Sequence, residues 1–338
     1  MTSLYVKNGV DLREKRVNAV ISLNNNWVWD FWFAQDESDI HIFYLQAPKI
    51  IGDESLRHWN VSIGHAVSQD LVNWEILPDA LAPSTEYGAW DNYTTWTGSI
   101  IKHAGVWYMF YTGTKREEDG KIQRVGLATS IDLIHWERYL PGPLIESNPQ
   151  WYETLNLDLW YEEAWRDPWV FEHDGKFHAF ITARCNSGHP YARGVIGYAM
   201  SSDLISWEVG PPITKPGEFA FMEVPQLIEI NGLWYLLFSV PDDKYSMSRL
   251  ACPDIKKHTG IHYLVAQHPM GPFRYLTNDF LVGDEIGSLY SGKVIRSSFG
   301  GWAFMAFENF SSEKLFIGKI ADPLPVSVKE NGKLVVHR

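Results

Sequence analysis

Two cysteines in 338 residues, Cys185 and Cys252, share no CxxC spacing, which excludes a disulfide framework and a cysteine-ligated zinc module. Both read as buried free thiols. Positive charge is also short. Against 41 Asp and Glu stand 29 Lys and Arg, giving a net charge of -12, whereas a nucleic-acid binder needs a basic face. Long apolar runs are missing: stretches such as LWYLLFSV are far too short to cross a bilayer, so no membrane partner is expected. The first residues, MTSLYVKNGVDLREKRV, carry no apolar run behind their charges, and a cytoplasmic location is expected. Helical periodicity of useful length is absent as well, which leaves an all-β protein.

Aromatic residues, by contrast, are abundant, at 14% with 16 Trp. They recur in order. Five segments alternate aromatic and aliphatic residues: IHIFYLQ from Ile40, WYMFYTG from Trp107, FHAFITA from Phe177, WYLLFSV from Trp234 and WAFMAFE from Trp302. Four of them follow a glycine, as the second strand of a hairpin does. Three are followed by a second signature, in HAVSQDLVNW, LATSIDLIHW and YAMSSDLISW, and YLVAQHPMGPF is a degenerate fourth copy. Each reads as a strand, a Ser/Asp turn and a Trp opening the next strand. Five copies of a four-stranded antiparallel meander predict a five-bladed β-propeller spanning residues 1–338 as one domain. A large β-sandwich would not explain the fixed order of the two signatures. The fifth blade lacks a clear outer strand after Phe316, and residues 4–22 are the candidate to complete it.

The first strand of each blade lines the channel, so residues ten to twelve positions upstream of the aromatic segments should meet at the axis. Those residues are Asp30, Thr97, Asp167, Glu223 and Tyr290. Three carboxylates in one cavity repel one another, and a structural role rarely calls for them. A hard-cation site would add Asn or Asp ligands in a dense loop. The companions here are Trp27, Trp29, Trp32, Trp96, Trp165 and Trp169, which suit a sugar face. Glycosidic cleavage by paired carboxylates fits this set. No His, Cys or Asp cluster has metal-ligand spacing, so no metal and no other cofactor is expected.

Blander readings accompany several of these residues. Asp30 and Asp167 could be turn residues, the latter before Pro168. Glu218 and Glu229 compete with Glu223 for the acid position. His65 and His178 read as core residues, the pair Glu162–Glu163 as a solvated loop that could reach the pocket mouth, and KREEDGK as a hairpin tip.

In the same order, VWDFW, IHIFYLQ, IGHAVSQDLVNW, WTGS, WRDPW and EVPQL run along the chain. Together they resemble the fructan-active propeller enzymes of glycoside hydrolase families 32 and 68, and more distantly the arabinanases of family 43. The resemblance covers residues 22 to 310. It implies Asp30 as nucleophile, Glu223 as acid/base and Asp167 as the carboxylate that holds furanose hydroxyls. It also implies substrate contacts from Trp29, Gln46, Trp96, Thr97, Arg166 and Tyr290. The sequence departs from family 32 at Trp29–Asp30–Phe31, at Ile63 and at Val224–Pro225–Gln226. It also ends too soon after the fifth unit for the family's C-terminal β-sandwich. A retaining β-fructofuranosidase acting on a small soluble fructoside is expected. A fructosyltransferase, an arabinofuranosidase-like hydrolase and a non-catalytic sugar-binding propeller are the alternatives.

Overall fold

The computed structural model describes residues 21–140, 142–297 and 300–338. Five antiparallel sheets follow one another along the chain. Blade 1 holds β1 (Asn26–Asp36), β2 (Asp39–Pro48), β3 (Ser62–Ser68) and β4 (Glu75–Leu81). Blade 2 holds β5 (Thr94–His103), β6 (Val106–Thr114), β7 (Gln123–Ser130) and β8 (Glu137–Arg138). In blade 3 the strands are β9 (Trp165–His173), β10 (Lys176–Arg184), β11 (Gly194–Ser201) and β12 (Trp207–Gly210). Blade 4 contributes β13 (Glu223–Ile230), β14 (Leu233–Val240), β15 (Thr259–Ala266) and β16 (Val282–Asp284). Blade 5 has β17 (Leu289–Arg296), β18 (Trp302–Phe310), β19 (Phe316–Ile320), β20 (Leu324–Val328) and β21 (Leu334–Val336). This is the expected five-bladed propeller.

Blade 5 is closed differently from the expectation. Its third strand is broken: β19 and β20 both pair with β18, and Ile320 to Leu324 run against the shorter stretch Phe304 to Phe307. Pro323 sits in that break, where a residue without an N–H does no harm to the ladder. The outer position is taken by β21, near the C-terminal end. Of residues 4–22, the candidate to complete the blade, residues 4–20 lie outside the described residues, and Ile21 forms a single bridge to Ile320.

The second repeat signature is a hydrogen-bonded turn built from its own letters. In blade 1, Ser68 Oγ accepts from the Asp70 and Leu71 N–H groups, and Asp70 Oδ1 accepts from those of Val72 and Asn73. Leu71 then adopts φ 64°, and Trp74 Nε1 donates back to its carbonyl at 3.1 Å. The same bonds recur around Ser130, Asp132, Leu133 and Trp136, and around Ser201, Asp203, Leu204 and Trp207. The first signature's glycines close hairpins of the type that needs positive φ twice, as at Asp174–Gly175 and Asn231–Gly232. The buried residues between blades are mostly aromatic and aliphatic, with Trp29, Trp32 and Trp165 at most 1% exposed. Cys185 is buried and free as expected, but Cys252 is free and exposed, because it lies in the loop after β14 and not on a strand. Among the described residues no helix is long and apolar enough to cross a membrane.

Candidate active site

Each innermost strand breaks register at the same depth. The paired residue before the break is Trp29, Trp96, Arg166, Glu223 or Tyr290, opposite Leu45, Thr112, Thr182, Ser239 or Phe307. The residue that follows, Asp30, Thr97, Asp167, Val224 or Ser291, falls in a β-bulge. An extra residue re-aims its side chain, which is why bulges gather at functional sites. Asp167, Val224 and Ser291 take φ of 53 to 56° there. The next position is Phe31, Gly98, Pro168, Pro225 or Gly292. Proline fits a place without a ladder bond, and a Cβ on Gly98 would stand 2.1 Å from the Phe110 carbonyl oxygen. Bulging also orphans N–H groups, and hydroxyls on the preceding blade take them up. Thr112 Oγ1 accepts from Asp167 N at 2.9 Å, Thr182 Oγ1 from Val224 N at 3.2 Å, and Ser239 Oγ from Ser291 N at 3.1 Å.

This geometry corrects the sequence alignment by one residue in two blades. Glu223 and Tyr290 were equated with Asp30, Thr97 and Asp167, yet they stand one step earlier, level with Trp29, Trp96 and Arg166. Spacing to the next aromatic segment hides the shift, because the intervening hairpins differ in length. Two tiers result: Trp29, Trp96, Arg166, Glu223 and Tyr290 above, Asp30, Thr97 and Asp167 at the bulge.

Both tiers open into a cavity of about 540 Å³. Asp30, Asp167, Glu223, Trp29, Trp96, Thr97, Arg166 and Tyr290 all line it. Gln46 does not. Its amide is consumed by Asp79 at 2.7 Å, Ser62 at 3.3 Å and Asn26 at 2.8 Å, so it braces blade 1 beside the cavity. Of the three acids competing for one place, Glu223 alone lines the cavity; Glu218 is paired with Arg249 at 2.8 Å and Glu229 is exposed on β13. Glu162 reaches the cavity wall through Arg166, whereas Glu163 is turned away to Ser147 and the Leu155 N–H.

Arg166 is the hub. Its Nη2 donates to Glu223 Oε1 at 2.6 Å, its Nη1 to Glu162 at 2.8 Å and to Gln123 at 3.0 Å, and Nε lies 3.7 Å from Asp167 Oδ2. Tyr290 O–H donates to the other oxygen of Glu223. Asp30 Oδ2 accepts from Thr97 Oγ1 at 2.9 Å, and Asp167 Oδ2 accepts from Thr182 Oγ1 at 2.9 Å and Val224 N at 3.1 Å. Burial pushes Asp167 up to about 7, helped by Asp30 and Glu223 and opposed by Arg166. Burial raises Asp30 too, against the Thr97 hydrogen bond. Desolvation thus outweighs the hydrogen bond at Asp30.

Several lining residues carry no sequence signal of their own. Arg57, His58 and Trp59 come from a short 3-10 turn, Glu54–Trp59, between β2 and β3. Burial takes His58 down to about 3, so the ring is neutral. Asp242 and Asp243 rim the mouth from the loop after β14. Lys293, 2% exposed and not itself in the lining, donates to the Val224 and Pro225 carbonyls of the blade 4 bulge. A repeat-by-repeat comparison would have exposed Lys293 as a charged residue on a buried strand.

His65 and His178 are hydrogen-bonded core residues, to His41 at 2.8 Å and Tyr198 at 2.9 Å. No metal-ligand spacing is visible in the sequence, yet the fold gathers His173, Asp174 and His268 at the far end of β9 from the cavity. The two Nε2 atoms are 3.2 Å apart. However, His268 Nδ1 accepts from the Met270 N–H at 3.2 Å, so a neutral ring has its proton on Nε2, where a metal would bind.

The structure thus defines a five-bladed propeller with acids from three blades converging in one cavity, and comparison with known proteins gives the family. The chain matches the glycosyl hydrolases family 32 N-terminal domain over residues 31–298 and belongs to that family. The match opens one residue after Asp30. A sucrose-6-phosphate hydrolase of Bacillus subtilis (strain 168) is 29% identical over 206 residues, which are 59% of this chain and 38% of that one. The chain thus matches well under half the length of that curated relative. The fold is shared with inulosucrase from Halalkalicoccus jeotgali bound to kestose: TM-score 0.72, 20% identity, 95% of this chain and 92% of the other. Bacillus subtilis levansucrase gives a TM-score of 0.73 at 15% identity, over 93% and 87% of the two chains.

Proposed function

We propose that the cavity cleaves β-fructofuranosidic bonds of sucrose or short fructo-oligosaccharides with retention, the five blades acting as one catalytic unit. The observation that carries this reading is the unequal support of two acids that line one cavity from different blades. Glu223 is clasped by Arg166 and Tyr290, and Asp30 is held by Thr97 within the same cavity. In the first step an Asp30 oxygen bonds to the anomeric carbon while the bond to the leaving oxygen breaks and Glu223 gives that oxygen its proton. In the second, Glu223 takes a proton from water, whose oxygen displaces Asp30. Asp167, braced by Thr182 and Val224, faces the furanose hydroxyls and the oxocarbenium-like charge. The indoles of Trp29, Trp59 and Trp96 supply flat walls for the sugar rings.

An uncharged sugar fits better than a phosphorylated one. The lining holds Asp30, Glu162, Asp167, Glu223, Asp242 and Asp243 against the guanidiniums of Arg57 and Arg166. Arg166 is consumed by carboxylates, and Lys244 beside the mouth is paired with Asp243 at 2.6 Å. Arg57 donates to the Glu54 carbonyl and lies 4.0 Å over Phe316. A phosphate on either ring would meet a negative wall.

The test is to incubate the protein with sucrose, sucrose 6-phosphate, short fructans and aryl arabinofuranosides, and to identify the sugars released. Fructose from sucrose and short fructans is expected. Arabinose release, or no release, would refute the reading.

A further inference from the structure

A buried amide needs partners at both ends. Gln123 opens β7 in blade 2, is 1% exposed and stands in the cavity wall. Its Oε1 accepts from the Trp165 N–H at 3.2 Å and from Arg166 Nη1 at 3.0 Å, and its Nε2 donates to Glu162 Oε2 at 2.9 Å. Arg166 Nη1 also donates to Glu162 Oε1 at 2.8 Å, so amide, carboxylate and guanidinium close a ring. Backbone bonds seat the same two segments on each other. Gln123 N donates to the Glu163 carbonyl at 3.3 Å, and Glu163 N to that of Lys121 at 2.8 Å. The Phe221 ring covers the guanidinium, its centre 4.6 Å from Cζ. With Nη1 held in this way, Nη2 of the same rigid, planar group reaches Glu223 Oε1 at 2.6 Å.

We infer that Gln123 is a positioning residue for the acid: its amide sets the guanidinium of Arg166 at the angle from which Arg166 holds Glu223. The chemistry of the ring selects the residue type. A guanidinium and a backbone N–H only donate and an ionised carboxylate only accepts, so the side chain at 123 must accept at one atom and donate at the other. Glutamate there would accept from Trp165 and Arg166, but it would set a second carboxylate against Glu162 and compete with Glu223 for the guanidinium. Methionine would do neither task and would leave the buried Trp165 N–H without its acceptor. Gln123 acts through Arg166, because both ends of its amide are committed to protein groups.

Three variants test the arrangement: Gln123→Met, Gln123→Glu, and the exchange Gln123→Glu/Glu162→Gln, which keeps the net charge and one donor facing one acceptor. The inference deepens the fructoside-cleaving reading and rests on it for its kinetic arm alone. The first arm is the crystal structure of each variant and needs no turnover. Arg166 Nη2 should leave hydrogen-bond distance of Glu223 in Gln123→Glu and return to it in the exchange. In the second arm, kcat on sucrose should fall by about tenfold to a hundredfold in both single variants, with KM little changed, because a misplaced catalytic group loses rate before binding. An aryl fructoside that leaves without a proton should lose less, and the exchange should recover most of the rate on sucrose. Should Gln123→Met fail to fold, Gln123→Glu, which keeps the Trp165 acceptor, and the exchange carry the test. A wild type without fructosidase activity sinks the functional reading and leaves the first arm to decide. An Arg166–Glu223 bond unmoved in folded Gln123→Glu overturns the inference. So do equal losses on the two substrates, or an exchange no better than the single variant.

Discussion

Replacing Glu223 by Gln separates proton donation from every other duty of that side chain. The amide is isosteric, so Tyr290 can still donate to its oxygen. Arg166 loses one charged partner at 2.6 Å but keeps Glu162 at 2.8 Å and Gln123 at 3.0 Å. With the guanidinium still paired, the loss of stability should be only about 1–2 kcal/mol, the scale of one charge-assisted hydrogen bond. Catalysis should suffer far more. Sucrose needs a proton on its leaving oxygen, and loss of a general acid lowers turnover by about 10²–10⁴-fold, or roughly 3–5.5 kcal/mol of barrier. An aryl fructoside whose leaving group departs as a stable anion needs no proton and should retain formation of the covalent intermediate. Parallel steady-state assays of the two substrates, with thermal melts as a control, measure the difference directly. Asp30→Asn should abolish turnover of both, since no intermediate forms. Equal losses on both substrates in Glu223→Gln would refute the acid assignment, and Glu162, the next carboxylate on Arg166, would take its place.

Asp167→Asn should stabilise the protein most at high pH. A carboxyl at about 7 against an ordinary value of 3.8 binds its proton more tightly when folded, so its contribution is full below pH 4 and is lost as pH rises through 7. Melts at pH 4 and pH 8 should therefore differ less in the variant than in wild type, by an amount on the order of a few kcal/mol. Sucrose should be cleaved at least about tenfold faster in kcat/KM than sucrose 6-phosphate at low salt, and the ratio should shrink in 1 M salt and in Asp242→Asn/Asp243→Asn; a preference for the phosphate would refute the acidic-wall argument. Glu153→Ala should strand Arg184 and Arg193, both buried and both paired to it, and lower stability by about 3–5 kcal/mol in denaturant titrations.

The blades were legible in the sequence because their instructions are local. A Ser, an Asp, a Leu and a Trp within seven residues close the same turn three times with bonds to their own backbone, and a turn ending in glycine closes the inner hairpin of four blades. The family resemblance also placed Asp30, Asp167 and Glu223, and these do share one cavity. What local spacing could not give was register. A bulge is defined by the strand opposite, so only the paired sheet shows that Glu223 and Tyr290 stand one step above Asp30 and Asp167. The same limit explains Gln46, whose motif matches a substrate-binding position while Asp79, Ser62 and Asn26 take its amide. Arg57, Asp242 and Lys293 lie far apart in the chain and meet the acids only when the ring of blades closes. Sequence alone thus fixed which groups could do chemistry, through short-range hydrogen bonds and repeated pattern. Tertiary structure decided which face one another and how charged they are, because pairing register, burial and the field of distant residues are properties of the closed fold.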